Sequence, residues 1–320
     1  MKKLLLAAGV LLAAVLVGLW TLGSILAAPA PQALGPPPRF LEAAPVTFPS
    51  ASGSTLHGWL VRGTPGAGAV VLAHGVRANR LQMVERAAFL KRAGYSVLLF
   101  DEQAHGESPG AHITFGYLEA RDARAAVGFL RTQLPGEPIA YLGVSQGGAA
   151  ALLGAEPLDV QALVLESVYP TLRDAVTDRI EQRLGVLGRI FAPLLLVQVE
   201  PRLGVDPAVL APIDGMARIH APLLLLAGDA DRHTPLEESL RLFAAAPQPK
   251  RLWVVPGAAH VDLHRYAPRE YERQVLEFLE QTLRQGAVYT ASLCARTTCI
   301  ACPRACRFPT TTGRAGTCAA

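Results

Sequence analysis

The pattern of apolar and polar positions changes character along the chain and divides it into four segments. From Leu4 through Pro38 no charged residue interrupts the run, and Lys2 and Lys3 precede it. No face of that stretch is polar, which sets it apart from the amphipathic helix of a soluble core. Leu4 to Ala28 spans about 25 residues, or roughly 37 Å of helix, long enough to cross a bilayer with some tilt. The pattern therefore predicts a transmembrane anchor or signal segment over residues 1–28. Small residues around Leu26-Ala27-Ala28-Pro29-Ala30 offer a cleavage-like site. A proline would follow the cut, however, and the apolar run is longer than a usual signal core, so an uncleaved anchor is the expectation. In either case Lys2 and Lys3 stay cytoplasmic and the remainder is exported. Residues 29–49 carry seven prolines, which prevent helix continuation and predict an extended linker.

Past the linker, short β-branched and leucine-rich runs alternate with amphipathic stretches. Strands are predicted at Thr55–Arg62, Ala69–Ala73, Ser96–Phe100, Ile139–Gly143, Ala162–Glu166, Leu223–Gly228 and Leu252–Pro256. Several are apolar at consecutive positions, as in Val70-Val71-Leu72 and Leu223-Leu224-Leu225-Leu226, a pattern of strands buried on both faces in a parallel sheet. Helices are predicted at Leu81–Ala93, Gly116–Gln133, Gln146–Leu153, Leu236–Ala245 and Pro268–Arg284. The alternation reads as an α/β domain over residues 50–285, doubly wound, with pockets outside the carboxyl ends of its strands. One interval breaks the rhythm. Residues 168–220 separate two strands by more than fifty positions, with helical patterns near Leu172–Leu184 and Leu187–Val197, and are expected to form a small helical lid.

Composition narrows the classes of function. Hydrophobic residues make up 51% and charged residues 18%, which excludes a disordered solvating chain. The net charge of +4 is carried by the ends: Arg39 to Arg284 holds 24 Lys plus Arg against 26 Asp plus Glu. That body, at −2, is no electrostatic nucleic-acid binder. All five cysteines (Cys294, Cys299, Cys302, Cys306 and Cys318) fall in residues 286–320, a threonine-rich stretch without acidic residues or periodicity. Cys299-Ile300-Ala301-Cys302 has a metal or redox spacing but lacks a second matched pair. Disulfides within an exported tail are an equal alternative. The expectation is a disordered extension outside the chemistry.

Candidate chemistry is carried by Gly143-Val144-Ser145-Gln146-Gly147, between the run Ile139–Leu142 and a helical stretch. Flanking glycines in a strand-to-helix turn allow a bend so tight that the serine hydroxyl projects above the sheet. A serine needs a base held in one tautomer. Two loops after apolar strands supply partners in the chain order this fold requires: Gly228-Asp229-Ala230-Asp231 and Pro256-Gly257-Ala258-Ala259-His260. Asp231 and His260 are the expected acid and base, with Asp229 the rival acid. His264 reads as surface and His233 as loop packing. The amides of Gln146 and of Val76, in Ala73-His74-Gly75-Val76, are the expected oxyanion donors, with His74 a structural hydrogen-bonder. No cofactor or metal is called for.

The set His74-Gly75, Asp101 to Ser108 (DEQAHGES), GVSQG, Asp231 and His260 resembles the α/β-hydrolase superfamily. It is similar to the small-lid esterase and serine-aminopeptidase-like branch over about residues 45 to 285. The resemblance implies a sheet of about eight strands and a serine hydrolase working through an acyl-enzyme without cofactor. DEQAHGES departs from the family's D-x-x-G-H-G-x-S run by Ala104 in place of glycine, in a segment the relatives use as a structural turn, which speaks against a catalytic His105. Both lines lead to a carboxylic ester hydrolase acting on a small acyl substrate, with activity falling at acid pH as His260 takes a proton. Two alternatives remain. One is an amide or peptide hydrolase, for which Glu166 and Glu200 are candidate amine anchors, although solvated surface charges are the expectation for both. The other is a non-catalytic binding module on the same scaffold. A cofactor-free haloperoxidase is a fold analogy only.

Overall fold

The runs of consecutive apolar residues become strands whose alternate side chains enter two different cores. In the computed structural model, which describes residues 1–260 and 262–284, eight strands form one sheet. They are β1 (Ala44–Pro49), β2 (Thr55–Val61), β3 (Ala69–Ala73), β4 (Ser96–Phe100), β5 (Ile139–Val144), β6 (Ala162–Glu166), β7 (Leu223–Gly228) and β8 (Lys250–Val255). Along β3, Val71 packs on one face while Val70 and Leu72 pack on the other; along β7, Leu223 and Leu225 divide in the same way from Leu224 and Leu226. Period-two geometry thus turns an unbroken hydrophobic run into two half-cores. Each fully buried leucine is worth about 1.5–3 kcal/mol of transfer free energy.

The sheet order is β1-β2-β4-β3-β5-β6-β7-β8, with β3 through β8 parallel and β1 and β2 an antiparallel hairpin at one edge. Helices α3 (Glu119–Gln133), α4 (Gln146–Leu152) and α9 (Leu236–Ala245) cover one face. The other is covered by α2 (Val84–Arg92), α10 (Leu263–Tyr266) and α11 (Pro268–Leu279). The chain goes from β3 to β4 on one side, then to β5 on the other. Winding therefore reverses at β3, and the crevice outside the carboxyl ends of β3 and β5 is where ligands bind in such sheets.

Between β6 and β7 the chain leaves the sheet to form α5 (Leu172–Leu184), α6 (Gly188–Leu196), α7 (Val199–Leu203) and α8 (Pro212–Met216). At the other end α1 (Lys2–Ala27) is long and apolar enough to cross a membrane. The segment after α1 departs from the expected extended linker. Ala30 and Pro31 pair with His105 and Gly106, Arg39–Leu41 makes a 3-10 turn that buries Leu41, and Ala44–Pro49 is the edge strand β1. Phe48 faces the core, and an edge strand tolerates prolines because no ladder continues on its open side. The predicted cysteine-rich tail, residues 286–320, lies outside the described residues.

Candidate active site

Ser145 sits between β5 and α4 with φ 50° and ψ −111°, a backbone region that L-residues enter only when neighbours over-determine it. They do so here. The Ser145 amide donates to Glu166 O at 2.8 Å and the Gly147 amide to His74 O at 3.1 Å, while the Tyr141 hydroxyl donates to Gly147 O at 2.8 Å. A Cβ on Gly147 would lie 2.7 Å from the carbonyl oxygens of Ala73 and His74, and one on Gly143 2.5 Å from Gly147 O. Both glycines of the motif are therefore demanded by backbone contact. A Cβ on Gly75 would come 3.7 Å from the Ser145 Cβ, so the loop after β3 abuts the serine. Among the described residues the Val76 amide donates to no acceptor, and the Gln146 amide stands at the start of α4, where no intrahelical acceptor exists.

Asp231 and His260 meet: His260 Nδ1 lies 2.8 Å from Asp231 Oδ2. The acid is buried and the imidazole is a quarter exposed. Asp231 Oδ1 accepts the amides of His233 (2.7 Å) and Thr234 (2.9 Å), so the loop after β7 wraps its own carboxylate. With Nδ1 turned to Asp231, the proton on that nitrogen leaves Nε2 as the basic atom. Thr234 Oγ1 reaches Ser167 O and His260 Nδ1, each at 3.4 Å. Ser167 follows Glu166, whose carbonyl holds Ser145, so the two loops rest on one strand end. The Ser145 hydroxyl makes no hydrogen bond to the imidazole among the described residues; in unliganded sites such bonds are often long. The rival Asp229 is exposed and accepts the Gly257 amide at 2.6 Å, tying the β7 end to the turn after β8. The His233 ring lies 4.8 Å from that of His260, and burial together with the neighbouring imidazole holds its pKa below the usual histidine range.

Two expectations fail here because the deciding partners are remote in sequence. Glu166, a candidate amine anchor, is fully buried: both carboxylate oxygens bond Arg86 Nη2 at 2.9 Å and one accepts from Tyr271 Oη at 2.8 Å. The same Arg86 grips Asp262 at 2.7 and 3.1 Å, two residues after His260, and Glu166 Oε1 accepts the Leu263 amide at 3.1 Å. The residue whose carbonyl holds Ser145 thus braces the His260 loop with its side chain. His264, expected at the surface, is buried, stacked on Phe89 and 3.2 Å from Glu272 Oε1. Glu200 is exposed on α7.

His74, Glu102 and His105 form a buried group with metal-like spacing, yet its nitrogens are committed. His74 Nδ1 donates to Gly75 O and Nε2 accepts the Glu102 amide; His105 Nδ1 donates to Gln103 O and Nε2 accepts the Arg77 amide. His74 is the structural hydrogen-bonder expected of it, His105 makes bonds of the same kind, and neither has a lone pair left for a cation. Burial first, then His105, pushes the His74 pKa down to about 3. Glu102 receives the Gln146 side-chain amide at 2.8 Å, and burial, then Glu119, drives its pKa well above the ordinary carboxylate value. No pattern in the sequence singled out Arg86 or Glu102. A cavity of about 450 Å³ lined by Ser52, Ser54, Gln103, His112 and Thr114, among others, does not include Ser145, Asp231 or His260.

The model of the family described as serine aminopeptidase, S33, matches residues 64–210. A Mycobacterium tuberculosis protein described as uncharacterized is 35% identical over 247 residues, which is 75% of this chain and 80% of that one. Among solved structures, an esterase of Pyrococcus furiosus superposes with a TM-score of 0.65 at 24% identity, covering 80% of this chain and 98% of its own. A proline iminopeptidase of Mycobacterium smegmatis gives 0.55 at 18%, covering 76% and 100%. With its sheet order, the glycine-walled turn at Ser145 and these likenesses together, the chain belongs to the α/β-hydrolase superfamily, in its S33 serine-aminopeptidase-like group.

Proposed function

We propose that the chain is a membrane-anchored serine hydrolase that cleaves carboxylic esters through an acyl-enzyme. His260 Nε2 takes the Ser145 proton as the hydroxyl oxygen attacks the acyl carbon. Asp231 holds the ring and stabilises its cation, and the amides of Gln146 and Val76 bind the oxyanion. Collapse of the tetrahedral intermediate breaks the ester C–O bond, and His260 gives its proton to the departing alcohol. Water then repeats the sequence and releases the acid. The observation that carries this reading is the 2.8 Å bond between His260 and Asp231, in a loop braced by the residue that positions Ser145.

Of the two candidate amine anchors, Glu166 is consumed by Arg86 and Tyr271, which leaves only the exposed Glu200 on α7 to receive a substrate ammonium and favours ester over amide cleavage. Helices α5 to α8, inserted at the edge that carries Ser145, serve as the lid. Retention of α1 is supported at its carboxyl end, where free carbonyls need donors. Arg77 Nη1 bonds Ile25 O (3.0 Å) and Ala28 O (3.1 Å), and the Ile113 amide bonds Ala27 O at 2.9 Å. Cleavage after Ala28 would strip these partners from the catalytic body. Lys2 and Lys3 then lie in the cytoplasm and the body outside it.

The test is labelling of the full chain with a fluorophosphonate, beside turnover of p-nitrophenyl acyl esters and aminoacyl anilides. Labelling is expected in the wild type and absent in Ser145→Ala, with ester turnover reduced by on the order of 10⁴ or more. Folded protein that resists the label would leave a binding module; preference for the anilides would move the assignment to amide hydrolysis.

A further inference from the structure

The hairpin between α5 and α6 carries its apolar residues outward. Val186 is 79% exposed, Val197 68% and Ile190 63%, and Leu184 and Leu194 are also exposed. Ile190 and Leu194 on α6 and Val197 just past its end follow i, i+4, i+7 spacing and form one stripe. The opposite face of α6, with Ala192, Leu195 and Leu196, is already buried against the body. A water-facing stripe of this kind marks an interaction surface.

What lies beside the stripe identifies its partner. The last turns of α1 pack against α6 and α7. Arg202 donates to Ser24 Oγ at 2.6 Å and Trp20 O at 3.0 Å, with its guanidinium 4.3 Å from the Trp20 ring centroid. Gln198 donates to Leu19 O at 3.3 Å. Leu26 and Ala27 share a small apolar cavity with Leu172, Val176, Leu196 and Val199. Gln198 bonds Leu19 while Arg202 bonds both Trp20 and Ser24, so the junction of α6 and α7 lies against residues 19–24 of α1. The exposed stripe is therefore carried by a helix in direct contact with α1. Arg183 flanks the tip, as does Arg189, which is paired with Glu181, and a cationic side chain there reaches phosphate headgroups while its stem stays apolar.

We propose that the α5–α6 hairpin is a second membrane contact, with Leu184, Val186, Ile190, Leu194 and Val197 seated among lipid acyl chains beside α1. The inference rests on the reading of α1 as a retained anchor. It implies that the lid opens toward the bilayer and that acyl substrates are drawn from the lipid phase.

The experiment uses the full chain with Trp20→Phe, reconstituted in phosphatidylcholine vesicles with plain or brominated acyl chains. A tryptophan is added in turn as Leu11→Trp in α1, Val186→Trp in the hairpin and Thr132→Trp, and each is read as the difference from the Trp20→Phe parent, which keeps Trp59 and Trp253. Thr132 is exposed near the end of α3, which leads into the start of β5 at the sheet edge away from the lid. The expected result is blue-shifted emission quenched by bromine for Leu11→Trp and Val186→Trp, and no quenching for Thr132→Trp. Quenching of Leu11→Trp without Val186→Trp overturns the proposal, leaves the anchor standing and assigns the stripe to a soluble partner. Loss of both sinks the anchor reading as well, and equal quenching at Thr132→Trp shows adsorption without orientation and also overturns it. Ile190→Trp repeats the measurement should Val186→Trp fail to fold.

Discussion

The turn that carries Ser145 and the loop that carries His260 are built by opposite means. The serine turn is fixed by backbone against backbone: two glycines with no room for a Cβ, and amides of Ser145 and Gly147 received by carbonyls of neighbouring strands. The histidine loop is fixed by charged side chains, with Asp231 on the ring and Arg86 joining Glu166 to Asp262. Backbone clamps depend on residue size and are indifferent to pH. Ionic braces depend on charge and lose their hold when one partner goes. The difference teaches that the Ser145 turn and the His260 loop belong to parts of the molecule with separate vulnerabilities.

Breaking the ionic brace should have the largest effect. Arg86→Ala strands the Glu166 carboxylate in the core and releases Asp262, a loss of about 3–5 kcal/mol. Urea unfolding would show it as a lower midpoint with unchanged slope, and turnover in the still-folded protein should fall as the His260 loop slackens. Undiminished stability would mean that the brace is dispensable.

A smaller effect separates the two regions by pH. Glu238, on α9 just beyond the Asp231 loop, has its pKa pushed up to about 8 by burial and then by Asp178, itself raised to about 6. The folded value exceeds the ordinary 4.5. Its contribution is therefore complete below pH 4.5 and is lost as pH rises through 8. Glu238→Gln should match the wild type near pH 5 and melt roughly 2–4 °C higher at pH 9. A constant offset at every pH would remove the carboxyl pair from the account.

The smallest effect lies on the serine side. Ala104 adopts φ 60° in the Asp101–Ser108 turn, where a Cβ crowds the following carbonyl. Ala104→Gly should gain about 0.5 kcal/mol, the left-handed penalty largely offset by the greater freedom of glycine when unfolded. Calorimetry would register a slightly higher Tm, equal at pH 5 and pH 9, in contrast to Glu238→Gln.

Much of this was legible in the residues. The helices Leu172–Leu184 and Leu236–Ala245 and the strands Ala69–Ala73, Ser96–Phe100, Ala162–Glu166 and Leu223–Gly228 have the limits that periodicity predicts. Gly143 and Gly147 announced a turn that backbone contact requires. Glu166 could not be read in the same way, since Arg86 and Tyr271 lie 80 and 105 positions away. His264 was misplaced for the same reason: four residues of helix between loops give no sign of Phe89 above the ring. The edge strand β1 was hidden by Pro45 and Pro49, which argue against any strand except one with an open side.

By itself the sequence determined the alternation of buried strands and amphipathic helices, the tight serine turn, and the order in which serine, acid and histidine follow one another. These depend on side-chain period and backbone freedom, which act over a few residues. Tertiary structure brought the expected Asp231 to His260 and tied its rival Asp229 to Gly257, and it alone decided that Glu166 braces the His260 loop and that the carboxyl end of α1 packs on the inserted helices. Each of those outcomes depends on which charge or carbonyl arrives from a distant segment, and a hydrogen bond is decided within a fraction of an ångström that no local pattern encodes.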